Sequence, residues 1–352
     1  MEEKPKNIQS KIKVGISQGD INGISYEIII KSLMDNRIFE QLTPILYGSS
    51  KVLTYHRKAI NVNNFSMYNI KSPADANLKR ANIINCLDDN IRVELGKSTT
   101  MAGEASFVSL EKATDDLKNG SIDVLVTAPI NKYNIQIEGF NFPGHTEYLM
   151  EKFGADDVLM LLVNENLRVG VVTGHVPLKD VSAAISKESI LSKLRILHKS
   201  LIRDFVVTNP RIAVLGLNPH AGDKGLIGKE EQEIIIPAID AAREEGIMAL
   251  GPYAADGLFG SDAFSKFDAI LAMYHDQGLA PFKALAFSSG VNYTAGLPVV
   301  RTSPAHGTAF EIAGKGLANP QSFRQAMFLA VDIFKNRKLY DELSKNPLKT
   351  KD

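Results

Sequence analysis

The sequence predicts an α/β fold of two intertwined lobes, with a largely parallel sheet, helices on both of its faces and an active-site cleft between the lobes. Short apolar runs alternate with amphipathic helical patterns, which is typical of strand–helix units. The 352 residues are 44% hydrophobic and 23% charged, so the chain can bury a large core and form about two domains. No linker rich in Pro, Gly or Ser divides it, so we expect one catalytic unit over 1–352. Within this unit, lobe A is predicted at 1–145 plus 290–352 and lobe B at 146–289.

Strands are predicted where aliphatic residues form short runs that end in turn-forming residues. In chain order these runs are KVGIS (13–17), TPILYG (43–48), IDVLVTAP (122–129), LRVGVVTGH (167–175), RIAVLGLNP (211–219), DAILAMYH (268–275) and LPVVRTS (297–303). Helices are predicted where apolar residues return every three or four positions. These segments are ISYEIIIKSLMD (24–35), AGEASFVSLEKATDDLKNG (102–120), KESILSKLRILHKSLIRDF (187–205) and EEQEIIIPAIDAAREEG (230–246). Because buried runs alternate with helices, the sheet should be mainly parallel.

The charge balance and the lack of long apolar runs exclude several classes of protein. Forty Lys and Arg residues balance forty Asp and Glu residues, so no overall charge attracts nucleic acid or an anionic membrane. No run approaches the roughly 18 apolar residues that a membrane span requires, and the first residues lack the apolar core of a signal peptide. Cys86 is the only cysteine, which excludes an intrachain disulfide. We therefore expect a cytoplasmic protein without nucleic-acid or membrane partners.

Three histidines follow three predicted strands at equivalent positions. His175 follows LRVGVV, His220 follows RIAVLGL and His275 follows DAILAMY. The carboxyl ends of parallel strands meet at one edge of a sheet, so the three imidazoles could converge there. Three imidazoles and an open position form a common catalytic site for a divalent ion such as Zn, Co, Mn or Mg. A hydrogen-bonded loop role is the alternative for each, whereas His56 and His198, inside helical patterns, are interpreted as structural.

A second group of residues combines a helix N-terminus with cationic and amide side chains, which suits a phosphate monoester. The helix N-terminus is predicted at FPGHTE (142–147), where unpaired backbone N–H groups favour an anion. The candidate substrate residues are His145, Thr146, Lys283, Asn292 and Arg301. As alternatives, Thr146 could be an ordinary N-cap, and each cation could be a solvated surface charge.

The segment SPAHGTAFEIAGKGLANP (303–320) contains a near match to a dinucleotide-binding motif. Gly314-Lys315-Gly316 begins a G-x-G-x-x-G pattern, but Asn319 stands where the third glycine is required. The chain contains no other G-x-G-x-x-G and no G-x-x-x-x-G-K-[ST] phosphate loop. A conventional Rossmann site is therefore not predicted.

At this segment the chain resembles a known group of enzymes. HGTAFEIAGKGLANP is similar to the adenosine-binding loop of the isocitrate and isopropylmalate dehydrogenases, which have their own non-Rossmann α/β fold. Within that superfamily the chain resembles the 4-hydroxythreonine-4-phosphate dehydrogenase (PdxA) family over about residues 12–336. The motifs that carry the resemblance are GISQGDINGISYEI, VTAPINK, FPGHTE, GHVPL, NPHAGD, GPYAAD, YHDQGLAPFK and GVNYTAGLPVVRTSPAHGTAFEIAGKG.

The resemblance implies a role for each candidate residue. The implied metal ligands are His175, His220 and His275. The implied substrate-binding residues are His145, Thr146, Lys283, Asn292 and Arg301. The implied contacts to the cofactor NAD are His306, Gly307, Thr308, Glu311 and Asn319. Lys132 is a candidate proton carrier, and Asp256 and Asp276 are candidate outer-shell partners, although ordinary salt bridges would explain these three equally well.

The resemblance also implies a reaction and an assembly. NAD would take hydride from C3 of 4-phosphooxy-L-threonine, and the product would lose carbon dioxide to give 3-amino-2-oxopropyl phosphate. A divalent ion would stabilise negative charge on the C3 oxygen. The family is dimeric with its active site at the subunit boundary, so we expect a homodimer whose metal site draws histidines from both chains. A sister enzyme for erythronate or threonate 4-phosphate, and a non-catalytic phosphate-binding module, are the alternatives.

Two features of the sequence refine these expectations. Glu311 is predicted to bind the adenosine ribose and to select NAD over NADP, because its carboxylate accepts from a 2′-hydroxyl and repels a 2′-phosphate. The alternative is that Glu311 only complements the dipole of a helix over AFEIAGKG. The family's first motif usually reads G-D-P-x-G-I-G-P-E, whereas this chain has Ile21 for the proline and Ser25-Tyr26 for the Gly-Pro pair. The loop near these positions could therefore differ in shape.

Overall fold

Two units make up residues 11–137, 139–286 and 288–345, which are the residues that the computed structural model describes. The first unit ends at Ile137 and also contains Thr308–Pro320, and the second unit comprises the rest. The lobe boundaries given above stay a prediction. The units have other bounds, since residues 290–307 and 321–345 group with the second unit and not with the first.

The first unit contains a parallel sheet with the strand order β3-β4-β2-β1-β5. Its strands are β1 (Ile12–Ser17), β2 (Leu42–Gly48), β3 (Tyr68–Ile70), β4 (Asn82–Asn85) and β5 (Val124–Thr127). Its helices are α1 (Ser25–Leu33), α2 (Ile38–Gln41), α3 (Ser50–Ala59) and α4 (Thr100–Lys118). Strand β1 is central, and Val14 and Ile16 are fully buried because helices and neighbouring strands cover them.

The second unit contains strands in the order β12-β11-β6-β7-β10-β8-β9. They are β6 (Leu159–Val163), β7 (Arg168–Thr173), β8 (Arg211–Leu215), β9 (Met248–Tyr253), β10 (Ala269–Tyr274), β11 (Val291–Ala295) and β12 (Arg301–Pro304). The helices are α5 (His145–Lys152), α6 (Val181–Ala184), α7 (Lys187–Arg203), α8 (Ile236–Glu244), α9 (Ala255–Phe259), α10 (His275–Leu285) and α11 (Gln321–Leu343). Strands β7, β10, β8 and β9 are parallel, whereas the β6–β7, β6–β11 and β11–β12 pairs are antiparallel. None of the helices described is long and apolar enough to cross a membrane.

The predicted α/β class is confirmed, and each of the seven predicted strand segments overlaps a strand, although in LPVVRTS the strand covers only Arg301 to Ser303 of the segment. The structure differs from the predictions in two places that concern the site. The 230–246 pattern begins with one π-helical turn, Glu231–Ile235, before α8. His275 is the first residue of α10, which follows β10 directly, so this histidine lies on a helix and not in a loop.

The unusual residues of the first motif form a buried cluster of their own. The Tyr26 ring stacks on His56 of α3 at 5.2 Å between ring centroids, and both side chains are fully buried. His56 Nε2 lies 2.7 Å from the Ile21 carbonyl oxygen, to which it donates, and Ser25 Oγ donates to the Pro129 carbonyl. Burial lowers the pKa of His56 to about 4, so the ring is neutral. The structural interpretation of His56 is thus confirmed.

Candidate functional site

The three candidate metal ligands follow three neighbouring parallel strands. Strand β10 lies between β7 and β8, and all three run in the same direction. His175 comes two residues after β7, His275 begins α10 directly after β10, and His220 lies in the turn after β8. Carboxyl ends of adjacent parallel strands are where open α/β sheets bind ligands. The fold therefore brings the three residues to one edge of the sheet.

Two of these histidines are neighbours. The ring centroids of His175 and His275 lie 6.1 Å apart, and both residues line a cavity of about 390 Å³. His275 Nδ1 lies 2.7 Å from Asp276 Oδ1, and His175 Nδ1 lies 3.6 Å from Glu147 Oε1. A carboxylate hydrogen-bonded to Nδ1 holds the proton on that nitrogen and orients Nε2 toward a metal, as is usual for metal-binding histidines. Asp276 is at this distance from His275, whereas the 3.6 Å between Glu147 and His175 is longer than a hydrogen bond. The pair therefore suits two ligands of a divalent ion.

The third histidine is presented differently. His220 is exposed and belongs to a turn whose residues 220–224 all have positive φ, between 40° and 76°. Below this turn the buried Glu231 carboxylate accepts hydrogen bonds from the backbone N–H groups of Leu217 and Asn218, at 2.8 and 2.7 Å. Within the described ranges, no group of three or more His, Cys, Asp or Glu residues could hold a metal ion. A single chain thus assembles two of the three predicted ligands.

The candidate substrate residues also lie in the second unit. Helix α5 begins at His145, and Gly144 is its N-cap, so the interpretation of Thr146 as the N-cap is wrong. Arg301 on β12 is buried and donates from Nη1 to Thr294 Oγ1 at 3.1 Å. Asn292 on β11 has a buried Oδ1 with no hydrogen-bond partner among the described residues, and Lys283 is exposed on α10. A bound ligand could satisfy the Asn292 carbonyl.

Glu147 is a residue that sequence analysis missed. Besides its contact with His175, it acts on Arg301 through its charge: burial is the main cause that lowers the pKa of the Arg301 guanidinium to about 10, and the Glu147 carboxylate opposes this shift. The charge of one carboxylate therefore acts on a candidate metal ligand and on a candidate phosphate ligand. The sequence signal that could have identified Glu147 is its position directly after the His-Thr pair of FPGHTE, because residues in the first turn of a helix lie beside its N-terminus.

The residues predicted to bind the cofactor divide between the units, with His306 and Gly307 in the second unit and Thr308, Glu311 and Asn319 in the first. His306 Nδ1 donates to the Gly307 carbonyl at 3.1 Å, and Nε2 is buried with no partner among the described residues. Burial, aided by the charge of Lys283, lowers the pKa of His306. The neutral ring can therefore accept a hydrogen bond at Nε2, which suits a ligand with a donor group.

Glu311 lies in a short 3₁₀ turn, Phe310–Ile312, and its side chain is exposed. The alternative that it complements the dipole of a helix over AFEIAGKG is wrong, because residues 313–316 form turns in which Gly314 and Gly316 have positive φ. An exposed carboxylate on an open turn fits a role at a cofactor hydroxyl. The buried His306 Nε2 and the Glu311 carboxylate, each within its own unit, suit a ligand that offers a hydrogen-bond donor.

The candidate proton carrier, Lys132, and the candidate outer-shell residues, Asp256 and Asp276, differ in their surroundings. Asp276 contacts His275, as described above. Asp256 is exposed in α9, which follows β9 at the same edge of the sheet, and among the described residues no hydrogen bond or ion pair joins its side chain to a histidine. Lys132 is exposed in the turn after β5, in the first unit. Their roles stay predictions.

Comparison with known proteins adds independent information. The sequence profile of the family described as "Pyridoxal phosphate biosynthetic protein PdxA" matches residues 40–330. A 4-hydroxythreonine-4-phosphate dehydrogenase from Bacteroides thetaiotaomicron is 56% identical over 343 residues, which cover 97% of this chain and 94% of that protein. A D-threonate 4-phosphate dehydrogenase from Cupriavidus necator is 39% identical, covering 92% of this chain and 98% of its own. The crystal structure of a 4-hydroxythreonine-4-phosphate dehydrogenase from Klebsiella pneumoniae has a TM-score of 0.80 and 34% identity, covering 92% of this chain and 100% of that one.

Proposed function

Because this chain belongs to the PdxA family and is a dehydrogenase, we propose that it oxidises 4-phosphooxy-L-threonine at C3 with NAD and a divalent metal ion. The observation that carries the proposal is the cluster around Glu147, whose carboxylate lies 3.6 Å from His175 Nδ1 and whose charge also acts on the buried guanidinium of Arg301. A metal-binding pair beside a buried cation suits a substrate that carries both a hydroxyl to be oxidised and an anionic group.

The proposed reaction has two steps. In the first, the C3 hydrogen leaves as hydride to the nicotinamide and the hydroxyl proton goes to a base, which gives 2-amino-3-oxo-4-phosphooxybutanoate. In the second, the C1–C2 bond breaks, carbon dioxide leaves, and C2 takes up a proton to give 3-amino-2-oxopropyl phosphate. A divalent ion held by the imidazoles would supply Lewis-acid stabilisation of charge on the C3 oxygen in both steps.

The residues of the chain have distinct roles in this proposal. Arg301, Lys283 and the N-terminus of α5 bind the phosphate, since a guanidinium, an ammonium and unpaired N–H groups all favour an anion. Asp276 and Glu147 orient the metal-binding rings of His275 and His175. The third ligand, His220, comes from a partner subunit of a homodimer, which agrees with its exposure and with the pairing of only two histidines within one chain.

A second candidate substrate is D-threonate 4-phosphate, because a relative with 39% identity carries that name. The two substrates share the phosphate and the C3 hydroxyl and differ in the group at C2, an amine in one and a hydroxyl in the other. The higher identity, 56%, to a 4-hydroxythreonine-4-phosphate dehydrogenase favours the amino substrate.

A substrate panel tests the proposal. Purified protein, with its metal content measured, is assayed for nicotinamide reduction with 4-phosphooxy-L-threonine, D-threonate 4-phosphate and erythronate 4-phosphate, each with NAD and with NADP. We expect the highest kcat/KM for 4-phosphooxy-L-threonine with NAD, and loss of activity after chelation that added metal restores. A higher value for either hydroxy acid would transfer the proposal to that substrate, and equal use of NADP would remove the role proposed for Glu311. No turnover with any of them in the metal-loaded protein would favour a binding module.

A further inference from the structure

The cofactor loop, residues 308–320, is attached to helix α1 at the start of the loop. The Ile24 N–H, just before α1, donates to the Thr308 carbonyl at 3.0 Å. The backbones approach so closely that a Cβ at Gly23 would lie 2.7 Å from the Thr308 carbonyl oxygen. Only glycine permits this contact without a shift of the backbone.

The far end of the loop is attached to the same helix through an ion pair. Lys31 Nζ donates to the Gly316 and Ala318 carbonyls, both at 2.8 Å, and to Glu27 Oε1 at 2.7 Å. The Ala318 N–H donates back to Glu27 Oε1 at 2.8 Å. Glu27 and Lys31 are four residues apart, so they lie on one face of α1. Their hydrogen bonds to Gly316 and Ala318 hold the loop against α1, and we call these contacts the grip of α1 on the loop.

A third contact supports the middle of the loop. The Asn22 carbonyl accepts from the Gly96 N–H at 2.9 Å, and Asn22 Oδ1 accepts from the Glu94 N–H at 2.7 Å. The turn fixed in this way places Leu95 against the loop, where a Cβ at Gly314 would lie 2.3 Å from Leu95 Cδ1. Residues 94–97 therefore pack against the middle of the loop.

Burial of the Glu27 carboxylate costs free energy, which its contacts have to offset. Glu27 is fully buried, and its Oε2 has no hydrogen-bond partner among the described residues, whereas the Lys31 side chain retains 24% exposure. A buried carboxylate is tolerated only when a cation and hydrogen bonds compensate its lost hydration. The loop offers little burial of its own, since Lys315, Leu317 and Asn319 are exposed. Its shape therefore depends on the grip of α1.

We infer that Glu27 and Lys31 are positioning residues for the cofactor: they hold the 308–320 loop in the shape that binds NAD. The inference rests on the proposed use of NAD, with Glu311 in the gripped loop as the group that faces the cofactor. Without these contacts the loop samples other conformations. The apparent affinity for NAD is then the intrinsic affinity multiplied by the fraction of molecules whose loop has the binding shape. The chemical step, once NAD is bound, is unaffected.

The test replaces Lys31 with methionine, which keeps the apolar stem and removes the ammonium. We expect Lys31→Met to raise the NAD dissociation constant and the KM for NAD about tenfold, with kcat at saturating NAD and the KM for the phosphorylated substrate within about threefold of wild type. Lys31→Gln can still donate to a carbonyl, so its dissociation constant and KM for NAD should lie between those of wild type and Lys31→Met. The matched control is Lys112→Met on α4, where Lys112 pairs with Asp116 four residues away but contacts no part of the loop.

A second readout needs neither NAD nor activity. Lys315 is the trypsin site inside the gripped loop and is exposed, so cleavage after it reports how often the loop opens. We expect trypsin to cleave folded Lys31→Met about tenfold faster than folded wild type and folded Lys112→Met. Equal NAD affinity and equal cleavage in Lys31→Met and Lys112→Met would overturn the inference. If the wild-type protein bound no NAD, the proposed cofactor would be wrong, and the cleavage rates alone would decide whether the grip exists.

Discussion

Glu147 lies beside His175 and its charge acts on Arg301, so its replacement should affect two measurements, one for each of the tasks proposed for these residues. Glu147→Gln keeps the size of the side chain but removes the charge that orients His175 and neighbours Arg301. Loss of a carboxylate behind a metal-binding histidine typically weakens metal binding about 10- to 100-fold. We expect a weakening in that range by chelator competition, together with a higher KM for the phosphorylated substrate.

Glu151→Gln is the control for this prediction, because Glu151 lies one turn further along α5 and is exposed. It should leave metal affinity and KM unchanged. Unaltered metal affinity in Glu147→Gln, measured in a protein that binds metal through its histidines, would show that Glu147 does not orient His175.

For single residues, the sequence predicted which candidate ligands lie at the same edge of the sheet, but not which of them lie next to each other. The three histidines could be placed at one sheet edge because each follows a strand, and the strand order bears this out. The close approach of His175 to His275 depends on β7 and β10 being neighbours, and sequence order alone does not predict that pairing. Glu147 was missed for a similar reason, since its charge, on helix α5, acts on Arg301 in a strand far along the chain.

The turn that carries His220 contains four residues with side chains, His220, Ala221, Asp223 and Lys224, in the left-handed region. Such a conformation costs roughly 1–2 kcal/mol per residue, so other contacts have to hold it. Glu231, in the π-helical turn before α8, accepts from two N–H groups at the base of this turn. Glu231→Ala leaves those buried donors unpaired, and we expect it to lower the free energy of unfolding by about 2 kcal/mol and to speed hydrogen exchange in residues 216–225.

Glu233→Ala provides the comparison, because Glu233 lies in the same π-helical turn with its side chain exposed. Exchange in strands β6 and β7 should stay the same in both variants. If the 216–225 segment exchanged equally slowly in Glu231→Ala, the left-handed turn would have to be held by other groups.

Two strands that the sequence analysis did not predict, β3 and β9, each have a physical reason for leaving a weak signal. Strand β3 has only three residues and two of them are exposed, so its burial leaves little trace in the sequence. Strand β9 contains Gly251 and Pro252, which normally argue against a strand. The predicted helix over 230–246 was right in extent, but the π-helical turn arises from tertiary contacts of Glu231 that periodicity does not reveal.

The proposed homodimer can be tested by mixing inactive variants. His175 and His275 are neighbours in one chain, whereas we propose that His220 reaches them from the partner. Mixed subunits of His175→Ala and His220→Ala should then recover about a quarter of wild-type activity, because half of the dimers are hybrids and each hybrid has one complete site. Activity is measured after the subunits have been exchanged under mild denaturation.

The control mixture combines His175→Ala with His275→Ala. Both changes damage the pair that one chain contributes, so every site in the hybrid lacks a ligand and activity should stay low. Recovery in this mixture, or none in the first, would contradict the proposed division of ligands between subunits. Light scattering that gave a monomer at assay concentration would contradict the dimer itself.

A ribosome makes Lys31 long before it makes the carbonyl groups that Lys31 binds. Gly316 and Ala318 follow it by 285 and 287 residues. At about 5–20 residues per second, the nascent chain waits roughly 15–60 s between the helix and its loop. During that interval Lys31 lacks both carbonyl partners in the loop, Glu27 lacks the Ala318 N–H, and the surface that the loop will cover is exposed to water and to other proteins. The first unit is therefore completed only after residues 138–307 of the second unit have been synthesised.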